Sequence, residues 1–366
     1  MSALKKLNKS RVHIVKREPL AWYYNMLIRA AAIILALLVS AVVITLLTQK
    51  NPIDIYVSMF KGAFGTSLRV WSLFQNIAIL LLISLAVTPA FKMRFWNCGA
   101  EGQVLVGGLA TISVMMFLGD KVPTIVLFLI MIVASILASI IWAVLPAITK
   151  AIWNTNETLF TLMMNYVAIQ LVSFFLKTFV KNGSGVLSPM PEYGLPVLFG
   201  HSYLLNIIVV AVITVVVYIY LKYTKQGYEI SVVGESENTA KYIGINVKKI
   251  IIRTLMVSGA LCGIAGFLIG AGLDHSIASD SVGGQGFTAI MVSWLAKFNP
   301  LFMILTSGLV IFLQMGAEQI SETFDVQGAM PDIIVGIILF AIIGCEFFLN
   351  YQIHFRKRKS KQKEEA

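Results

Sequence analysis

Long stretches without charge constrain this chain more than any other feature. Apolar runs fall at roughly 27–48, 70–91, 103–119, 122–147, 158–179, 203–221, 251–273, 283–296, 301–317 and 331–350. A hydrocarbon layer about 30 Å thick takes about 20 helical residues to cross, and within it every backbone N–H and C=O must be paired inside its own segment. Runs this long exceed barrel strands. The expected fold is therefore all-α: a polytopic transmembrane bundle of about ten spanning helices. Composition agrees, with 58% hydrophobic and only 13% charged residues and a mean hydropathy of +0.82; soluble globular chains carry about a quarter charged.

The formal charge of +11 raises the question of a nucleic-acid partner, and the placement of the basic residues answers it. They stand at the chain ends and in short connections, where Lys and Arg set membrane orientation, so no nucleic acid is expected. With both termini on one side, 23 of the 29 Lys and Arg fall there and 6 on the other. That asymmetry puts both termini in the cytoplasm and the chain in the cell membrane. Three segments follow: a basic N-terminal stretch 1–26, a transmembrane body 27–350 with a cytoplasmic loop at 222–250, and a basic tail 351–366. The first run is too long for a secretory signal and shows no cleavage site, so it is expected to remain as a helix.

Cys98, Cys262, Cys345 and the four histidines are scattered without ligand spacing, and neither metal nor cofactor is expected. No nucleophile, base and metal set converges, which argues against an enzyme. Within the seventh run, Gly259, Gly263, Gly266 and Gly270 form two small-xxx-small pairs suited to close helix packing. The 283–296 run is short and bordered by Gly283, Gly284, Gly286 and Pro300, so it reads as a broken helix or as an ordinary short span. In the 222–249 connection, Ser236 caps and Gly244 stops a helix from about Glu237 to Ile243, with Glu235 and Glu237 at its positive end.

Four blocks resemble one family. Asn97-Cys98-Gly99-Ala100-Glu101-Gly102-Gln103 is similar to the N-x-G-x-E-G-Q signature of permeases from ribose-type and branched-chain-amino-acid-type ATP-binding-cassette importers. Asn156-Glu157 through Asn165-Tyr166, Gly234-Glu235 through Gly244-Ile245, and Gly286-Phe287 through Asn299-Pro300-Leu301 resemble the family's next segments in order. The resemblance is greatest to nucleoside or simple-sugar permeases served by basic-membrane-protein lipoproteins. Two departures stand out: Trp96 beside Asn97, where the family more often has an aliphatic residue, and Ser293-Trp294, where small residues are usual.

The resemblance implies a permease that moves a nucleoside or related neutral sugar-like solute by alternating access. Its implied partners are a cytoplasmic ATPase, a second permease subunit, a substrate-binding lipoprotein outside and membrane lipid. No G-x-x-x-x-G-K-[ST] loop occurs, so ATP is expected on a partner. Glu235, Ser236, Glu237, Ala240, Tyr242 and Gly244 become the element that docks on the ATPase. Asn97, Gly99, Glu101, Gly102 and Gln103 take a structural or gating role, with Glu101 capping backbone N–H groups where the chain turns at Gly99 and Gly102.

Gln75, Asn76, Asn165, Gln170 and Gln314 are uncharged polar residues within the runs, suited to a neutral ligand's path or to bonds between helices. Phe287, Trp294 and Phe298 offer faces for a nucleobase, or simply pack. Another small solute, such as a simple sugar or a branched-chain amino acid, is the alternative cargo. An ion-coupled secondary transporter would need mid-span charges, which are few.

Overall fold

A computed structural model describes residues 12–16, 51–180, 187–324 and 351–355, with single positions between 24 and 46 and between 333 and 344. In chain order the elements are β1 (Val12–Lys16), α1 (Pro52–Phe64), α2 (Ser67–Lys92), α3 (Ala100–Leu118), α4 (Thr124–Trp153), α5 (Glu157–Phe179), α6 (Leu204–Tyr223), α7 (Lys225–Glu235), α8 (Glu237–Tyr242), α9 (Val247–Ile269), α10 (Gln285–Leu295), α11 (Pro300–Phe324) and β2 (Tyr351–Phe355). The chain divides into two compact units, one of residues 63–312 and one built from both ends, Met1–Gly62 with Leu313–Ala366.

Among the described residues, seven helices are long and apolar enough to cross a membrane: α2, α3, α4, α5, α6, α9 with its continuation to Asp274, and α11. They coincide with seven of the ten expected runs. The first and last runs, 27–48 and 331–350, are described only in part. The eighth is short, in keeping with the broken-helix reading. Its helix α10 has 11 residues and at 1.5 Å per residue reaches only about 16 Å, half a hydrocarbon layer. Left-handed backbone ends it on both sides, at Gly283 and Gly284 (φ +58° and +74°) and at Lys297 and Phe298 (φ +51° and +58°).

In the 63–312 unit, α9 is the central helix and packs on α4, α3 and α2. Lipid supplies no hydrophobic drive between helices, so contact has to come from close backbone approach. Gly259 and Gly263 lie against the α4 backbone at Ser139, Ile140, Ser135 and Ile136, and Gly266 lies against α3 at Val104 and Gly108. Hydroxyls stitch the same surface: Ser135 Oγ donates to Gly263 O (2.6 Å) and Gly107 O (2.9 Å), and Ser139 Oγ donates to Gln103 O (2.8 Å).

Gly107 meets Gly263, and Ile112 meets Gly270, so α3 and α9 run parallel. A π turn at Gly270–Asp274 then ends α9. From His275 the chain returns along α3 without a helix: Ile277 sits beside Gly108, Ser281 and Val282 share a crevice with Val104 and Leu105, and Gly284 reaches Glu101. Residues 275–295 thus combine a non-helical half, rich in turns, with a short helix.

The α6–α9 connection folds into a helical hairpin. Thr224 caps α7 by accepting from Gly227 N (3.1 Å), and Ser236 caps α8 by accepting from Thr239 N (3.2 Å). Gly244, at φ +84°, turns the chain out of α8. Beneath the hairpin is an apolar cluster of Ala90, Met93, Phe95, Ala147, Ile230, Val233, Ala240, Val247, Ile250, Ile251 and Leu255. Helix α7 was not marked by the sequence, and Glu235 ends it instead of lying in the first turn of α8.

The unit formed from the chain ends contains an antiparallel ladder pairing Val12 with Phe355 and Lys16 with Tyr351. Within it Ser58 Oγ donates to Thr323 Oγ1 (3.2 Å), and Gly62 and Gly316 let α1 approach the C-terminal part of α11.

Candidate functional site

Three of the four sequence blocks converge at the N-terminal end of α3. Asn97 is fully buried, and its carboxamide organises the turn into that helix. Its Oδ1 accepts from Gly99 N (3.2 Å) and Gln103 Nε2 (3.1 Å), and its Nδ2 donates to Ser258 Oγ on α9 (3.2 Å). Asn is suited to this position because one amide supplies both donor and acceptor faces.

The second block meets the first through α5. Asn165 Oδ1 accepts from Gly102 N (2.9 Å) and its Nδ2 donates to Cys98 O (2.8 Å), while Thr161 Oγ1 accepts from Cys98 N (3.2 Å). A Cβ on Gly102 would lie 2.9 Å from Asn165 Oδ1 and force a shift, and one on Gly99 would lie a tight 3.1 Å from Thr161. Asn165 spends its amide on helix-to-helix bonds, the second of the two roles its polarity left open. The thiol of Cys98 is pushed up by burial and by the Glu157 carboxylate, which keeps it protonated and unreactive.

Glu101 binds a different partner from the one its neighbouring turn suggested. Its carboxylate accepts from Gly284 N (2.8 Å) and Gly286 N (2.7 Å), 183 and 185 residues away, and so caps α10 from α3. A carboxylate at a helix N-terminus satisfies orphan N–H groups and meets the positive dipole end. A Cβ on Gly286 would sit 2.5 Å from Glu101 N, so this approach requires glycine. Near its other end α10 is held by Ser293 Oγ, 2.9 Å from Thr88 Oγ1 on α2.

The remaining sequence candidates separate. Gln75 is fully buried on α2, with neither amide atom hydrogen-bonded among the described residues, and Asn76 beside it is half-buried. Gln170 is exposed on α5, and Gln314 is half-buried in the terminal unit. Phe287 and Trp294 are exposed on α10. In the hairpin Ala240 is buried in the apolar cluster and Tyr242 is 92% exposed, a rigid base carrying a free aromatic tip.

The sequence did not single out Asn206, whose buried carboxamide lies against Gly272 without a hydrogen-bond partner among the described residues; Trp96, noted there only as a departure, packs against Trp294. Among the described residues no group of three His, Cys, Asp or Glu is placed to hold a metal.

Residues 70–343 match the family model described as branched-chain amino acid transport system, permease component. The chain belongs to this permease family. Similar curated proteins cover nearly its whole length. A guanosine ABC transporter permease protein of Bacillus subtilis is 27% identical over 93% of this chain and 97% of the relative. A glucose ABC transporter permease protein of Haloferax volcanii is 26% identical over 88% of each. A nucleoside ABC transporter permease protein of Lactococcus lactis is 26% identical over 87% of this chain and 90% of the relative. No solved structure matches this chain. As a member of the permease family the protein is a multi-pass membrane subunit and not itself a catalyst, and the Asn97 and Glu101 networks set how its α3, α5, α9 and α10 are joined.

Proposed function

We propose that this permease is the membrane subunit of an ATP-binding-cassette importer and carries nucleosides into the cell. The observation that carries this reading is the α7–α8 hairpin. Ala240 locks α8 into the bundle's apolar cluster while Tyr242, at 92% exposure, projects from it. A short, capped helix rigidly tied to the bundle transmits a push from outside the membrane, which a mere connector has no need to do. The push comes from a separate ATPase docked at Glu235, Ser236, Glu237, Ala240, Tyr242 and Gly244.

Orientation follows from the same hairpin. It carries basic residues on the heavily basic side, so it and both termini face the cytoplasm. The 275–284 segment then returns as unwound backbone to the cytoplasmic end of α3, where α10 begins, the kind of interruption transporters tolerate where backbone lines a cavity. The path runs beside it, with Gln75, Asn76, Phe287 and Trp294 as lining groups; Gln170 and Gln314 are secondary candidates. A second permease subunit completes the path, and a lipoprotein delivers cargo from outside. Guanosine-type cargo is favoured by near full-length likeness to two nucleoside permeases. A neutral sugar is the second reading, favoured by equal likeness to the glucose permease.

Deleting the gene in a strain without other nucleoside carriers should abolish energy-dependent uptake of labelled guanosine. Unchanged uptake rejects the nucleoside assignment. Loss of glucose uptake in its place selects the sugar.

A further inference from the structure

The two departures from the family pattern, Trp96 and Trp294, lie 198 residues apart in sequence and meet in the fold. Their ring centroids are 5.8 Å apart with the planes inclined by 30°. Phe91 braces both indoles edge-on (5.7 Å to Trp96, 6.4 Å to Trp294), and Phe298 braces Trp294 at 5.4 Å. Despite this packing, Trp96 is 46% and Trp294 49% exposed, so one side of the pair stays open.

The backbone on both sides is bent to hold the rings there. Arg94, two residues before Trp96, has φ +61°, and Lys297 and Phe298, just after Trp294, have φ +51° and +58°. Non-glycine residues rarely adopt this region, and where they do the surrounding structure has fixed them. Phe95, the residue before Trp96, is buried in the same cluster as Ala240. One short segment thus has Phe95 under the hairpin and Trp96 in the aromatic pair.

We propose that Trp96 and Trp294 form a two-indole gate at the cytoplasmic end of the path and select cargo with a planar heteroaromatic ring. This rests on the nucleoside-importer reading and adds the element that recognises the base. Sandwiching a planar ring between two others needs about 3.5 Å per layer, or about 7 Å in all. At 5.8 Å the tilted indoles leave no room for a ring between them, so the gate is shut. A separation of about 1 Å more admits a base, whose own stacking on the two rings replaces the indole–indole packing broken on opening. A sugar without a base offers no such replacement and meets the full cost of parting the rings. Movement of the hairpin reaches the gate through Phe95.

The test uses the full permease–ATPase–binding-protein complex in liposomes and compares uptake of labelled guanosine and labelled ribose. Variants are Trp96→Leu, Trp294→Leu, both together, and Trp96→Tyr with Trp294→Tyr. Stacking on one ring is commonly worth about a factor of ten. The double Leu variant should lower the guanosine-to-ribose uptake ratio by about tenfold or more, with its melting midpoint unchanged, and the double Tyr variant should restore the ratio. If wild type carries guanosine and the double Leu variant keeps the wild-type ratio, or loses both uptakes equally while folded, the gate is wrong and the importer reading stands. If the wild-type complex carries no nucleoside, the importer reading fails first and the gate with it.

Discussion

Replacing Gly266 by alanine is the sharpest test of how the bundle is held. A Cβ at this position would lie 2.4 Å from Val104 O and 2.5 Å from Gly108 N, both backbone atoms of α3. Neither atom can rotate away. Ordinary contact begins near 3.4 Å, so α3 and α9 must part by about 1 Å. Overpacking of this kind costs about 1–3 kcal/mol, and fixed backbone partners place it at about 3. Alanine's helix preference over glycine returns about 1 kcal/mol, leaving about 2. With about 2–4 °C of midpoint shift per kcal/mol for a bundle of this size, the midpoint should fall by about 4–8 °C. Gly270 is the control, since a Cβ there finds its nearest atoms at 3.5 Å. Both variants can be followed by intrinsic fluorescence on heating in detergent. Gly270→Ala should melt with wild type or up to about 4 °C above it, since only the helix preference acts there, and equal midpoints for Gly266→Ala and Gly270→Ala would refute the close α3–α9 approach.

Other expectations follow from single bonds. Ser236→Ala removes the cap of a six-residue helix and about 1 kcal/mol of local stability; in proteoliposomes ATP turnover should persist while uptake per ATP falls, and an unchanged ratio would separate α8 from coupling. Glu101→Gln leaves one acceptor for the N–H groups of Gly284 and Gly286, so those amides should exchange hydrogen at least about tenfold faster, as removal of a charge-assisted bond implies. Tyr193, whose hydroxyl donates to Asp120, has its pKa pushed up to about 12, first by that hydrogen bond. The fold therefore favours the neutral phenol: its contribution is complete below about pH 10, the ordinary tyrosine value, and is lost as pH rises towards 12. Ultraviolet titration of Tyr193→Phe should lose one late-ionising tyrosine relative to wild type; identical late titration in the two proteins contradicts the Tyr193–Asp120 bond.

Local features were legible in the sequence and distant ones were not. Ser236 and Gly244 marked α8 because capping and a left-handed exit are properties of a few adjacent residues, and the structure has both. The glycines of α9 announced close packing, although only the fold shows that Gly259 and Gly263 serve α4 while Gly266 serves α3. The break near 283–296 was visible in its glycines, yet nothing local tells that the preceding residues run back along α3. Glu101 read as a cap, with the wrong N–H groups, because its partners lie 183 and 185 positions away. Asn165 left a path role and interhelical bonding both open because its polarity is visible in the sequence and its bonds to Cys98 and Gly102 are not. Helix α7 escaped notice because its polar sequence lacks a clear apolar stripe; only Ile230 and Val233 reach the core cluster.

The central claim is that this chain provides the path while another protein provides the energy. Uptake into liposomes containing the purified permease should be measured with and without its ATPase, under ATP and under an imposed proton or sodium gradient. The account predicts accumulation only when ATPase and ATP are both present. Accumulation by the permease alone under an ion gradient, or ATP hydrolysis by the permease alone, would contradict it.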